Sequence, residues 1–118
     1  MAEKKLYGLV LRIDTVQSII YKKEKEGKAV VYPYITLPDG TEIVHTQIFD
    51  EDGVQKVEVH FERPTEEGFD TARCQLPSYT WLVKEGFSED EIKLFDQMMH
   101  SNAHLFYKYG ASGGVQIA

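Results

Sequence analysis

His100 and His104 stand four residues apart in the stretch DQMMHSNAHLF, and Asp96 stands four residues before the first of them. On a helix this spacing places the three side chains along one face, where they are able to share a cation. At 100° per residue the two histidines fall about 40° apart. A natural zinc site asks for further ligands and for groups that fix the imidazoles. The residues between the histidines are Ser-Asn-Ala, so the glutamate of the H-E-x-x-H metalloprotease pattern is missing. Lys93, Gln97 and Lys108 share the same arc. The sequence therefore assigns the pair to a solvated helix face, and neither a metal nor a cofactor is expected.

A second group of chemistry-bearing residues comes from strand register, which turn residues and hydrophobic alternation set together. Asp39-Gly40, taken as a two-residue loop, puts Tyr34 opposite His45 and Tyr32 opposite Gln47. The turn DEDG puts His45 opposite Glu58 and Ile43 opposite His60. The third hairpin, in the register that keeps Ala72, Cys74 and Leu76 apolar-side, puts Arg73 opposite His60. One sheet face then carries Val31, Ile35, Leu37, Val44, Ile48, Val57, Val59 and Phe61. The other carries two rows, Tyr34–His45–Glu58 and Ile43–His60–Arg73. Tyr and Arg are enriched at binding surfaces, and a His beside a carboxylate is a potential acid or base. An open antiparallel sheet also wears polar side chains for solubility alone. The expectation is a binding face made of Tyr32, Tyr34, His45, Glu58, His60 and Arg73, with no residue assigned a catalytic role.

Three other signals resolve to structure. With Gly53 at the sixth position of a calcium loop, the first and twelfth positions are Ile48 and Val59, neither a ligand. Cys74, the single cysteine, falls on the inward face of its strand, where a thiol behaves as a small apolar group. GASGG follows a helix instead of preceding one and has no Lys after it, so it is no phosphate loop.

The elements that must position these residues belong to one domain, since 118 residues is the size of one. With 42% hydrophobic and 27% charged residues the chain belongs to the ordinary globular class. Residues 5–13 read as a first strand. Residues 15–26 read as helix or strand, with Asp14 as a cap and Gly27 as a stop favouring helix slightly. A meander follows, through AVVYPYITL, EIVHTQIF, VQKVEVHFER and TARCQL. PSYTWLVKEG reads as a short helix, with Trp81 packed between it and the sheet. Ser88 and Glu91 form a capping box, flanked by Phe87 and Ile92 as a staple, and the helix they start runs to about Tyr109, stopped by Gly110. Val115 and Ile117 are candidates for a short edge strand. The expected fold is α+β in two layers: an antiparallel meander of about five strands packed on one face by C-terminal helices.

Net charge is −6, and the basic residues form no stripe, which argues against direct nucleic-acid binding. No window approaches the roughly 18 apolar residues of a membrane span, and the N-terminus lacks a signal-peptide pattern. With one cysteine, a cytoplasmic location is expected. The expected function is a small non-catalytic module that binds a protein or peptide. The alternatives are a small-ligand binder with an apolar pocket lined by Trp81, Met98, Met99 and Phe106, and an acidic mimic of nucleic acid. An enzyme using His45 with Glu58, or His60 with Arg73, ranks below these. A sheet face and the terminal segments are also candidate homodimer contacts.

Overall fold

The computed structural model describes residues 31–115. The expected strand at 5–13, the helix-or-strand segment at 15–26 and the last residues of the tail lie outside the described residues; Val115 is described and is not in a strand. Among the described residues, six strands precede one helix: β1 (Val31–Thr36), β2 (Glu42–Thr46), β3 (Phe49–Glu51), β4 (Val54–Thr65), β5 (Gly68–Leu76), β6 (Thr80–Glu85) and α1 (Glu89–Ser112). The strands form an antiparallel sheet in the order β1-β2-β4-β5-β6, with β3 beside the start of β4. The fold is α+β, a meander-like sheet with a C-terminal helix packed on it.

The β4–β5 hairpin has the register that alternation predicts. Glu66 and Glu67 close it, Thr65 pairs with Gly68, and His60 pairs with Arg73. Val57, Val59 and Phe61 alternate inward from β4, and Ala72, Cys74 and Leu76 face them from β5; all six are fully buried. Phe61 stacks on Phe95 of α1 with centroids 4.3 Å apart and planes at 11°. Met99 and Phe106 continue the helix side of the core.

β2 departs from the expected register. Asp52 and Gly53 have φ of 55° and 79°, the two positive values of a type I′ turn. The turn is therefore tight, with Glu51 opposite Val54. The chain then breaks its ladder at Gln47-Ile48, where the Ile48 N–H bonds to the Gly110 carbonyl at 3.1 Å. The net offset places His45 opposite Val59 and Ile43 opposite Phe61. A shift of one residue exchanges the faces of a whole strand. Ile43 and His45 thus join the core side, and Val44 turns to the other face with His60. In β1, Thr36 pairs with Glu42 across a longer connection than the expected two-residue loop, and an irregularity between Pro33 and Ile35 sets Tyr32 opposite His45. Val31 lies beside Thr46 and Val44, away from the helix.

The segment expected as a short helix is β6. Thr80 and Val83 are β-branched residues that suit a strand. Ser78 hydrogen-bonds Thr80 across a tight turn in which Tyr79 has φ of 59°. Trp81 pairs with Cys74 and lies between the sheet and α1, its ring centroid 5.7 Å from that of Phe61. One C-terminal helix, not two, covers the sheet.

The start of α1 matches the sequence pattern. Ser88 caps the helix and accepts from the Glu91 N–H at 3.1 Å, while the Glu91 carboxylate accepts from the Ser88 N–H at 2.9 Å. Its end does not: Gly110 is a buried helical residue, and Gly113, with φ of 87°, makes the cap. A Cβ on Gly110 would sit 3.3 Å from the Ile48 nitrogen and the Thr46 carbonyl oxygen. That glycine lets the helix approach the sheet backbone, so it marks a contact and not a stop.

Candidate binding groove

The six residues expected on one open face are split between two. Tyr32, Tyr34 and His45 face α1, whereas Glu58, His60 and Arg73 face the opposite way. The Tyr34–His45–Glu58 row does not form, because β2 is shifted against β4. Of the second row, the His60–Arg73 pairing stands, while Ile43 sits in the core. The second face is not an open one either, since Val31, Val44 and His60 are at most 1% exposed. His60 Nε2 lies 2.8 Å from Glu58 Oε1. Glu62 accepts from Thr71 Oγ1 at 3.0 Å, and Glu42 accepts from Thr36 Oγ1 at 2.6 Å.

His45 occupies a buried aromatic surround. Its ring centroid lies 5.8 Å from Tyr32, 6.3 Å from Tyr34 and 5.9 Å from Phe106. Tyr34 in turn donates to Asn102 Oδ1 of α1 at 2.7 Å. His45 Nδ1 lies 2.9 Å from the Thr46 carbonyl oxygen. A carbonyl only accepts, so Nδ1 carries the proton and Nε2 is bare in the neutral ring. Among the described residues, Nε2 has no hydrogen-bond partner. Burial pushes the His45 pKa below its usual value, against the Thr46 hydrogen bond, which favours the cation. Because the folded value lies below the unfolded one, the contribution of neutral His45 to stability is complete above about pH 6.5 and is lost as pH falls below it. Unfolding in urea at pH 8 and pH 5 should therefore show lower stability at pH 5. His45→Asn, whose amide retains a donor near Thr46, should show a smaller difference between the two pH values. An unchanged difference in the variant would exclude His45 as its source.

The helix histidines are exposed. His100 Nε2 lies 3.7 Å from Asp96 Oδ2, and its ring stacks on Tyr79 with centroids 3.8 Å apart and planes at 11°. Asp96 also accepts from Trp81 Nε1 at 3.4 Å. Among the described residues, no three His, Cys, Asp or Glu side chains converge as a metal site. Cys74 is fully buried, and burial, with the charge of Asp96 adding to it, pushes its thiol up to about 12. A nucleophilic thiolate needs the reverse.

The acidic turns only partly converge. Asp50, Glu51 and Asp52 sit at one end of the 12-residue β4, and Glu66 and Glu67 at the other, roughly 35–40 Å away at 3.3 Å per residue. Glu91, from the acidic first turn of α1, reaches the Glu66 end through Arg63.

A groove of about 700 Å³ lies between β6 and the first turns of α1. Trp81 comes from the strand, Phe87 from the connection and Ile92 from the helix, and together they make its apolar floor. Lys84, Lys93, Glu89 and Asp96 stand around them. The floor exists because Phe87 and Ile92 staple the helix start while Trp81 points at the same turn. No family model, curated protein or solved structure matches this chain. The groove must be read from its own geometry. Of the four residues expected to line an apolar pocket, Trp81 lines it. Met99 and Phe106 are packed into the core at 0% and 2% exposure, and Met98 does not line the groove. The feature that makes residues 80–85 a strand beside the helix start is the tight turn at Ser78-Tyr79, which sets Thr80 opposite Gln75.

Proposed function

We propose that the chain is a non-catalytic binding module that takes an extended segment of a protein or peptide along β6, with side chains of that segment entering the groove. What supports this reading is a groove of binding-site size lying beside a strand that, among the described residues, pairs on one side only, with β5. The outer side of an edge strand presents N–H and C=O groups to an incoming chain. The side chains of Thr80, Leu82, Lys84 and Glu85 are exposed, Leu82 at 49%. Trp81 and Phe87 supply the aromatic floor on which interface anchors commonly rest. No chemical step is required of any residue.

The test is hydrogen exchange on the whole protein with a peptide selected from a displayed random library. Strand addition should slow exchange of the amides of residues 80–85 and shift the emission of Trp81, the single tryptophan. Protection confined to another edge, or no selected peptide at all, overturns the reading. The groove volume also falls within the ~300–1,000 Å³ of small-molecule sites, which supports a second reading, a small apolar ligand held on Trp81. Such a ligand would shift Trp81 emission and leave the β6 amides unprotected. Neither reading involves crossing a membrane, and no helix among the described residues is long and apolar enough to do so.

A further inference from the structure

We infer that the segment taken by the groove is acidic, with a carboxylate side chain close to an apolar one; this rests on the β6 binding reading above. The charges around the groove are not equivalent. Asp96 is engaged, accepting from Trp81 Nε1 at 3.4 Å with His100 Nε2 at 3.7 Å. Lys84 and Lys93 are exposed and form no ion pair among the described residues. One lysine stands on the strand and the other on the helix, so they flank the apolar floor from both sides. Glu89 is the one remaining anion in the lining. The lining is formally balanced, Lys84 and Lys93 against Glu89 and Asp96, but with Asp96 turned to Trp81 and His100 the groups left to meet an incoming side chain are two cations and one anion.

Register supports the same chemistry. Trp81 pairs with Cys74 and Lys84 pairs with Ala72, so both project on the helix side of β6, with an irregularity in the ladder between them. A strand added outside β6 places alternate side chains on that side. One position then lies against Trp81 and a neighbouring same-face position lies against Lys84, within reach of Lys93. An apolar residue suits the first and Asp or Glu the second. The net charge of −6 opposes an acidic partner at long range. At physiological salt, however, charges beyond about 8 Å are largely screened, so the side chains around the groove, and among them the lysines that flank its floor, outweigh the net charge once contact is made. Exposed pairs are individually weak, so the two together should change affinity by roughly fivefold to tenfold.

The experiment is selection of random eight-residue displayed peptides on the whole protein, in parallel with a Lys84→Gln, Lys93→Gln double variant whose fold is checked by circular dichroism. Wild type should enrich peptides that pair an aromatic or large aliphatic residue with Asp or Glu two positions away. A synthetic peptide of that sequence should bind roughly fivefold to tenfold more weakly to the double variant, or when its carboxylates are replaced by amides. Enrichment of neutral or basic peptides that still protect the β6 amides would overturn the acidic preference and leave the binding reading standing. Failure to enrich any peptide overturns both. Equal affinity for the wild type and the double variant also removes the preference, even if the selected peptides happen to be acidic.

Discussion

Replacing Phe61 with alanine is expected to cost about 3–5 kcal/mol, the range for deleting a fully buried large aromatic. Phe61 has 0% exposure and lies near the middle of β4, where three parts of the chain meet. Its ring stacks on Phe95 of the helix at 4.3 Å and lies 5.7 Å from Trp81 of β6. Its neighbours across the ladder are Ala72 and Ile43, both core residues. Removing the ring leaves a void lined by atoms fixed in two strands and a helix, so the site has little freedom to collapse. A domain of this size is stable by about 5–15 kcal/mol, so the loss is a large share of the whole. Phe69 is the internal control. It lies on the adjacent strand but is 47% exposed, and Phe69→Ala should fall within about 0.5 kcal/mol of wild type. Urea unfolding monitored by Trp81 fluorescence measures both. Equal losses at the two positions would mean that the core is not centred on the β4–α1 contact.

The legibility of that contact follows from where its information lies. Val57, Val59 and Phe61 alternate without a break, and two residues of a tight turn pin β4 to β5, so local sequence determines the register. The same is true of Ser88 and Glu91, whose bonds span three residues. β2 is different. Its face depends on how one residue is absorbed between Thr46 and Phe49, and the Ile48 to Gly110 hydrogen bond that holds this break reaches across 62 positions to the helix. Nothing near Ile48 in sequence announces it. His45 and Ile43 therefore lie on the side opposite to the expected one, and the expected binding face does not form. β6 is hard to tell from a helix for another reason. Its apolar residues Trp81, Leu82 and Val83 run consecutively, and a short apolar run fits a helix turn as well as a strand. The deciding feature is the tight turn before it, which folds Thr80 back onto Gln75. The groove was hidden for the same reason, since it exists only when residues 80–85 are extended beside the helix start.

Arg63 shows how far such nonlocal organisation extends, and Arg63→Met should lower stability by about 2–3 kcal/mol at low salt, between the values for exposed pairs and for broken buried ones. Its guanidinium joins three elements. Nε donates to Asp70 Oδ2 of β5 at 2.9 Å, Nη1 donates to Asp39 Oδ2 of the β1–β2 connection at 3.1 Å, and Nη1 donates to Glu91 Oε2 of α1 at 2.6 Å. The group also lies 4.6 Å above the Phe87 ring. Gly86 makes room for this arrangement, because a Cβ there would come within 2.6 Å of Asp70 Cγ. The Arg63 side chain is 23% exposed, so water screens it only in part. Methionine keeps the stem on Phe87 but leaves three carboxylates without their shared cation. The repulsion among them should be relieved by salt, so the deficit of the variant should shrink between 0.05 and 1 M NaCl. Acid should act in the same direction. Hydrogen bonding from Arg63, with the Ser88 N–H, holds Glu91 below its usual pKa. Burial alone would raise Asp39, but the Thr41 and Arg63 hydrogen bonds outweigh it and hold Asp39 low as well. A depressed carboxylate stabilises the fold above its unfolded pKa, near 4, and that contribution disappears as pH falls through the folded value. Wild type should thus lose stability below about pH 4 faster than Arg63→Met, and the two should converge near pH 2. A deficit that stayed constant across salt and pH would assign the role of Arg63 to packing on Phe87, with the three carboxylates as bystanders.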